Sequence, residues 1–99
     1  MTFEVSFRPQ AQQELQQAKE WYEAQRSGLG ADFEREVGRV VALLAGSPLL
    51  FPRVHGETRR AMVRRFPYGL FFRILPTEVV VLSCYHLQRR PRRWRGSSR

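Results

Sequence analysis

Cysteine is almost missing from this chain, occurring once in 99 residues, at Cys84. A single thiol excludes an intramolecular disulfide and leaves no cysteine partner for a zinc site, so a reducing compartment is expected. Cys84 lies inside the apolar run VVVLSCY and reads as a small buried hydrophobe. Long apolar runs are missing too. No stretch approaches the ~20 residues of a membrane span, and the opening MTFEVSFRPQ has no basic segment followed by a long apolar one. The expectation is a soluble cytoplasmic protein with neither cofactor nor metal ion. No repeat or second composition block divides the chain, and its length suits one domain, placed at residues 1–95, with 96–99 as a mobile tail.

Lysine is scarce as well, with Lys19 the only one among 17 basic residues, against nine acids and a formal net charge of +8. The rest are arginines, which present planar, bidentate donors to phosphate and carboxylate. Such a field favours an anionic partner, either nucleic acid or an acidic protein.

The pattern of apolar residues predicts the elements. Phe3, Val5 and Phe7 alternate with Glu4 and Ser6, the period of a half-buried strand. Pro9 suits a first helical turn, and Ala11, Leu15, Ala18 and Tyr22 recur at helical steps until Ser27 and Gly28 break the helix near Gln25. A second helix runs from about Leu29 to Ala45, with Phe33, Val37, Val40, Val41 and Leu44 as its stripe, Gly46 as its cap and Pro48 as its stop. The two form an antiparallel hairpin whose stripes need a sheet to cover. The segment Ser47 to Thr58 reads as a loop or irregular strand entry, with His55 at the surface. Three strands follow, about Arg60 to Phe66, Gly69 to Leu75 and Glu78 to Tyr85, turning at Pro67-Tyr68 and Pro76-Thr77. The last is apolar on both sides and should be central. The sum is an α+β domain ordered β-α-α-β-β-β, a helical hairpin on a mostly antiparallel four-stranded sheet. Leu15, Tyr22, Phe33, Val37, Val41 and Leu44 should pack on a face that holds Val80, Leu82 and Phe72 or their alternates.

Arginines recur at the ends of the last three strands and are expected to converge on one surface. The carrying segments are FRPQAQQELQQAKEWY, AGSP after the second helix, the RRFPYGLFFRI hairpin, and VVVLSCYHLQRRPRRW, which ends in His-x-x-Arg-x-Pro-x-x-Trp. Over nearly its whole length the chain thereby resembles the RelE/ParE superfamily of bacterial type II toxin–antitoxin toxins. The resemblance implies a growth-inhibiting toxin of plasmid-stabilisation type, neutralised by an acidic antitoxin and reaching operator DNA only through it.

That superfamily divides between ribosome-dependent mRNA endonucleases and inhibitors of DNA gyrase. Metal-free RNA cleavage needs a base, cations for the phosphorane and an acid for the leaving oxygen, and arginine serves only as the cation. By resemblance, Arg64 matches a nuclease arginine, but Gln88 stands where a second arginine is usual and Trp94 where a tyrosine is usual. His86 is then the one proton carrier, acting with Arg64, Arg73 and Arg89. The ParE-like pattern is matched more fully, by Arg64, Arg65, Phe66-Pro67-Tyr68, Arg73, His86, Arg89 and Pro91. The leading expectation is a binding inhibitor of gyrase; the alternatives are the nuclease and a non-toxic member that binds only its antitoxin.

The residues assigned to target or antitoxin are Arg64, Arg65, Tyr68, Arg73, His86, Arg89, Arg90, Arg93 and Trp94. Each has a plainer structural reading. Arg64 and Arg65, adjacent on a strand, would face opposite sides, one pairing with an acid such as Glu78. Arg73 would pair across its hairpin, Tyr68 would pack at a turn, and His86 would bond to backbone. Trp94 would pin the C-terminal segment to the body.

Overall fold

Five strands and two helices form in the order β1 (Glu4–Phe7), α1 (Pro9–Gln25), α2 (Leu29–Gly46), β2 (Arg53–His55), β3 (Thr58–Met62), β4 (Tyr68–Ile74) and β5 (Glu78–His86). The structure, a computed structural model, describes residues 2–88. The strands build one sheet in the order β1-β5-β4-β3-β2, with β1 parallel to β5 and every other pair antiparallel. The α+β class and element order stand as expected. The extra strand is β2, three residues with a register shift against β3, too short and irregular for its pattern to announce it.

Pro9 opens α1, and Gly28, at φ 90°, supplies the left-handed turn between the helices. Glu23 ties that turn, its carboxylate accepting from the Gly28 N–H at 3.0 Å and the Gly30 N–H at 3.0 Å. A side chain at Gly30 would meet the Lys19 carbonyl at 2.8 Å, so the helices approach this closely only over glycine.

Both helical stripes bury against one face of the sheet, as their period requires. Ala11, Ala18, Tyr22, Phe33, Val37, Val40 and Leu44 meet Leu70, Phe72, Val79 and Val81, while Leu15 and Val41 pack part-buried at the margin. Of the residues expected on this face, Phe72 is there and the alternates Val79 and Val81 replace Val80 and Leu82. The three could not share a face because β5 carries a bulge: Phe71 pairs with Ser83 but Phe72 with Val81, leaving Leu82 as the extra residue. Parity therefore flips along β5. Val79 and Val81 face the helices before the bulge, and Cys84 and His86 do so after it.

β5 is central, yet β1 pairs with it only as far as Val81. Beyond that point α1 takes over the ladder. The Arg8 N–H donates to the Val81 carbonyl at 2.9 Å, and the Cys84 N–H donates to Glu14 Oε1 at 2.9 Å. Burial, with the Glu14 carboxylate adding to it, pushes the Cys84 thiol up to about 12. Thiolate is the reactive form, so the folded protein should resist iodoacetamide at pH 8 and react at once when unfolded. Rapid labelling of the native protein would contradict this placement. No helix among the described residues is long and apolar enough to cross a membrane.

Candidate functional site

The strand expected from Arg60 to Phe66 ends at Met62, because residues 63–67 form a loop instead of continuing the ladder. The Val63 N–H donates to the Tyr68 carbonyl at 2.9 Å and the Tyr68 N–H to the Phe66 carbonyl at 2.7 Å. Arg65 stands at φ 72°, a left-handed conformation that costs a residue with a side chain roughly 1–2 kcal/mol. Its guanidinium lies 5.5 Å from the Phe66 ring centroid and 3.7 Å from Asp32 on α2. The cation–π contact and the ion pair offset that cost. Arg64 and Arg65 thus do not take opposite faces of a strand; both are exposed on a loop, and the acid that meets Arg65 is Asp32, not Glu78. Phe66 turns inward, with its ring centroid 4.8 Å from that of Tyr22 and 5.3 Å from that of Phe33.

Asp32 is shared between two arginines, accepting from Arg35 Nη1 at 2.9 Å. That hydrogen bond holds its carboxyl below the ordinary aspartate range; partial desolvation opposes it, and the charges of Arg35, Arg65 and Arg26 add to it. A depressed carboxyl stabilises the fold above its unfolded pKa, and the contribution is lost as pH falls through the folded value. Carbon-detected titration of Asp32 should therefore give a midpoint below that of the unfolded chain. Asp32→Asn should accelerate amide exchange in residues 64–66 at neutral pH. An ordinary midpoint would sink the argument.

Tyr68 is not at a turn but opens β4, buried, and pairs with His86 at the end of β5. Their rings meet edge to face at 5.2 Å. The bulge at Leu82 makes this contact, since strict alternation from Val79 would have pointed Tyr85 here and His86 away. The Leu87 N–H donates to the Pro67 carbonyl at 2.6 Å, fastening the end of β5 to the arginine loop. His86 Nδ1 accepts from the Gln88 N–H at 3.2 Å, which leaves the proton of the neutral ring on Nε2. His86, Tyr68, Arg64 and Arg65 are thus gathered at one end of the sheet, beside the turn between the helices. Arg89, Arg90, Arg93 and Trp94, the end of the domain assigned to residues 1–95 and the tail 96–99 lie outside the described residues.

Arg73 does not join this group. It lies five residues along β4 from Tyr68, about 17 Å at strand rise, and opposite Val80 on the face away from the helices. On that face the Phe71 and Tyr85 rings stand 5.9 Å apart. The sequence reading overlooked Arg60, whose stem runs beside Gly69 and whose Nε is buried with no hydrogen-bond partner among the described residues. Its adjacency to Arg59 gave no clue: register alone sends Arg60 to the Phe71 face, while Arg59 Nη1 donates to the Phe51 carbonyl at 2.6 Å.

Chemically, the gathered end offers two exposed cations on a braced loop, an aromatic floor and one imidazole. The cations can meet carboxylate or phosphate, and the imidazole alone can exchange a proton near neutral pH. Among the described residues no three His, Cys, Asp or Glu side chains are grouped to hold a metal ion.

Comparisons with known proteins converge on one description. The family described as the ParE toxin of the type II toxin–antitoxin system parDE matches residues 5–91. Among solved structures, a chain of the chromosomal ParDE toxin–antitoxin system from P. aeruginosa superposes with a TM-score of 0.76 at 15% identity, covering 86% of this chain and 96% of that one. A chain of the RelBE2 toxin–antitoxin complex from Mycobacterium tuberculosis gives 0.58 at 24% identity, covering 87% and 92%. No curated protein sequence matches the chain. The two superpositions establish a shared fold, and the family match spans the arginine loop, β4, β5 and His86.

Proposed function

Because the chain belongs to the ParE toxin family of type II toxin–antitoxin systems, we propose that it arrests growth by binding DNA gyrase, and that a cognate acidic antitoxin silences it. The observation that carries the reading is the braced loop: Arg64 and Arg65 are presented on a preformed surface, Arg65 in a strained conformation held by Asp32 and Phe66. Strain maintained at a surface loop suits a contact site whose shape is fixed before the partner arrives. Arg73 lies far from His86, so His86, Arg64 and Arg73 do not frame one scissile phosphate, and this supports binding over ribonuclease chemistry. Operator DNA would be reached through the antitoxin, and the charge of +8 would speed capture of that acidic partner.

The test is induced expression followed by two assays in parallel, gyrase supercoiling and cleavage of ribosome-bound mRNA. Inhibited supercoiling with intact mRNA is expected. Intact supercoiling with cleaved mRNA would replace the gyrase reading by the nuclease one, and loss of neither in a folded protein would mark a non-toxic antitoxin binder.

A further inference from the structure

Far from the arginine loop, the joint between α2, the 3-10 turn Pro48–Leu50 and β2 carries large apolar side chains in water. Leu43 is 51% exposed, Leu49 71%, Leu50 77% and Val54 37%. One exposed leucine needs no explanation, but four such residues within twelve positions form a patch of the kind that marks an interaction site. The patch is held rigidly. The Ser47 N–H donates to the Leu43 carbonyl at 2.7 Å and the Leu50 N–H to the Ser47 carbonyl at 3.1 Å. Phe51 then anchors the segment, its ring 5.9 Å from that of buried Phe72 and its carbonyl bonded by Arg59. Leucines fixed in place lose little entropy when covered.

The charges around the patch select its occupant. Arg39 sits one helical turn before Leu43, and Arg53 adjoins Val54. Their ion pairs are long and surface-bound, Arg39 to Glu36 at 3.7 Å and Arg53 to Glu57 at 3.8 Å, and such pairs hold a guanidinium weakly. A second copy of the chain would bring the same arginines and another +8 against itself across a two-fold axis. The fitting partner is apolar in the middle and acidic at the margins.

We propose that Leu43, Leu49, Leu50 and Val54, flanked by Arg39 and Arg53, are the docking site for an acidic amphipathic segment of the antitoxin. This rests on the antitoxin partnership inferred above and adds where on the chain that partner is held. β2 pairs only with β3, so its outer edge also has free backbone groups beside the patch. The site is remote from Arg64 and His86, so the antitoxin holds the toxin by a surface other than the one assigned to the target.

The test uses the full chain co-purified with the product of the neighbouring reading frame. Hydrogen exchange of the complex against the free chain should show protection at residues 43–54. Leu49→Glu with Leu50→Glu should weaken binding at least about a hundredfold by calorimetry, the effect of losing central apolar anchors, with an unchanged melting curve. Arg39→Glu with Arg53→Glu should slow association and flatten its salt dependence. Wild-type affinity in the leucine variant, or protection only elsewhere, would overturn the docking site and leave the antitoxin partnership standing. A free chain that dimerises until the leucines are replaced would assign the patch to a second copy and overturn the proposal. Absence of any complex with the wild-type chain would overturn the partnership, and this site with it.

Discussion

Phe33→Ala should cost about 3–5 kcal/mol of stability, the largest loss expected from any single side chain here. Phe33 is fully buried, and its ring centroid lies 5.2 Å from Tyr22, 5.3 Å from Phe66 and 5.2 Å from Tyr68. One side chain therefore joins both helices, the arginine loop and the first residue of β4. Removing it leaves a cavity between rings that cannot collapse without moving the loop. A domain of this size has perhaps 5–15 kcal/mol to lose, so the variant should be marginal, with a melting temperature lower by roughly 15 °C or more. Urea unfolding followed by Trp21 fluorescence measures it. Leu50→Ala, at an exposed position, is the control and should stay within about 0.5 kcal/mol of wild type. A Phe33→Ala loss under 1 kcal/mol would mean that the aromatic cluster does not carry this end of the fold.

That cluster also shows what the sequence could and could not disclose. Phe33 and Tyr22 fall on their helical stripes, so period alone placed them inward. The edges of the fold followed from Gly28, Gly46 and the prolines, which act through local backbone chemistry. Two features escaped because they depend on partners distant in sequence. The end of β3 at Met62 is set by Asp32 and Phe66 holding Arg65 in a left-handed turn; nothing in VRRFP forbids the strand from continuing. The bulge at Leu82 was hidden because VVVLSCY is apolar on both faces, so either parity satisfies the pattern. Yet that bulge decides the site: it turns His86 onto Tyr68 and Tyr85 onto Phe71. β2 escaped for the opposite reason, being too short to have a period. Convergence of the strand-end arginines failed at Arg73, since hairpin strands place their two ends at opposite edges of a sheet.

His86→Gln should leave toxicity within a few-fold of wild type, whereas Arg64→Ala, and Arg89→Ala with Arg90→Ala, should reduce it strongly. If the chain cleaved RNA, His86 would be its proton carrier, and loss of general acid–base catalysis typically costs about a hundred- to ten-thousand-fold. The geometry supports the other outcome. His86 Nδ1 is engaged by the Gln88 N–H and the ring is set against Tyr68, so the imidazole shapes the end of β5. Glutamine can accept the same hydrogen bond and occupy similar space. In a binding inhibitor no proton moves, and the cations that meet the target carry the effect. Truncating a charged group buried in an interface costs roughly 2–5 kcal/mol, about thirty- to several-thousand-fold in affinity. Arg64 is the cleanest probe because it is exposed and, unlike Arg65, has no left-handed backbone to disturb. The measurement is growth after induction, paired with gyrase supercoiling by each purified variant and with an antitoxin-binding control to show that the fold persists. A folded His86→Gln protein that has lost all toxicity, together with cleavage of ribosome-bound mRNA by the wild type, would transfer the chain from the binding inhibitors to the nucleases.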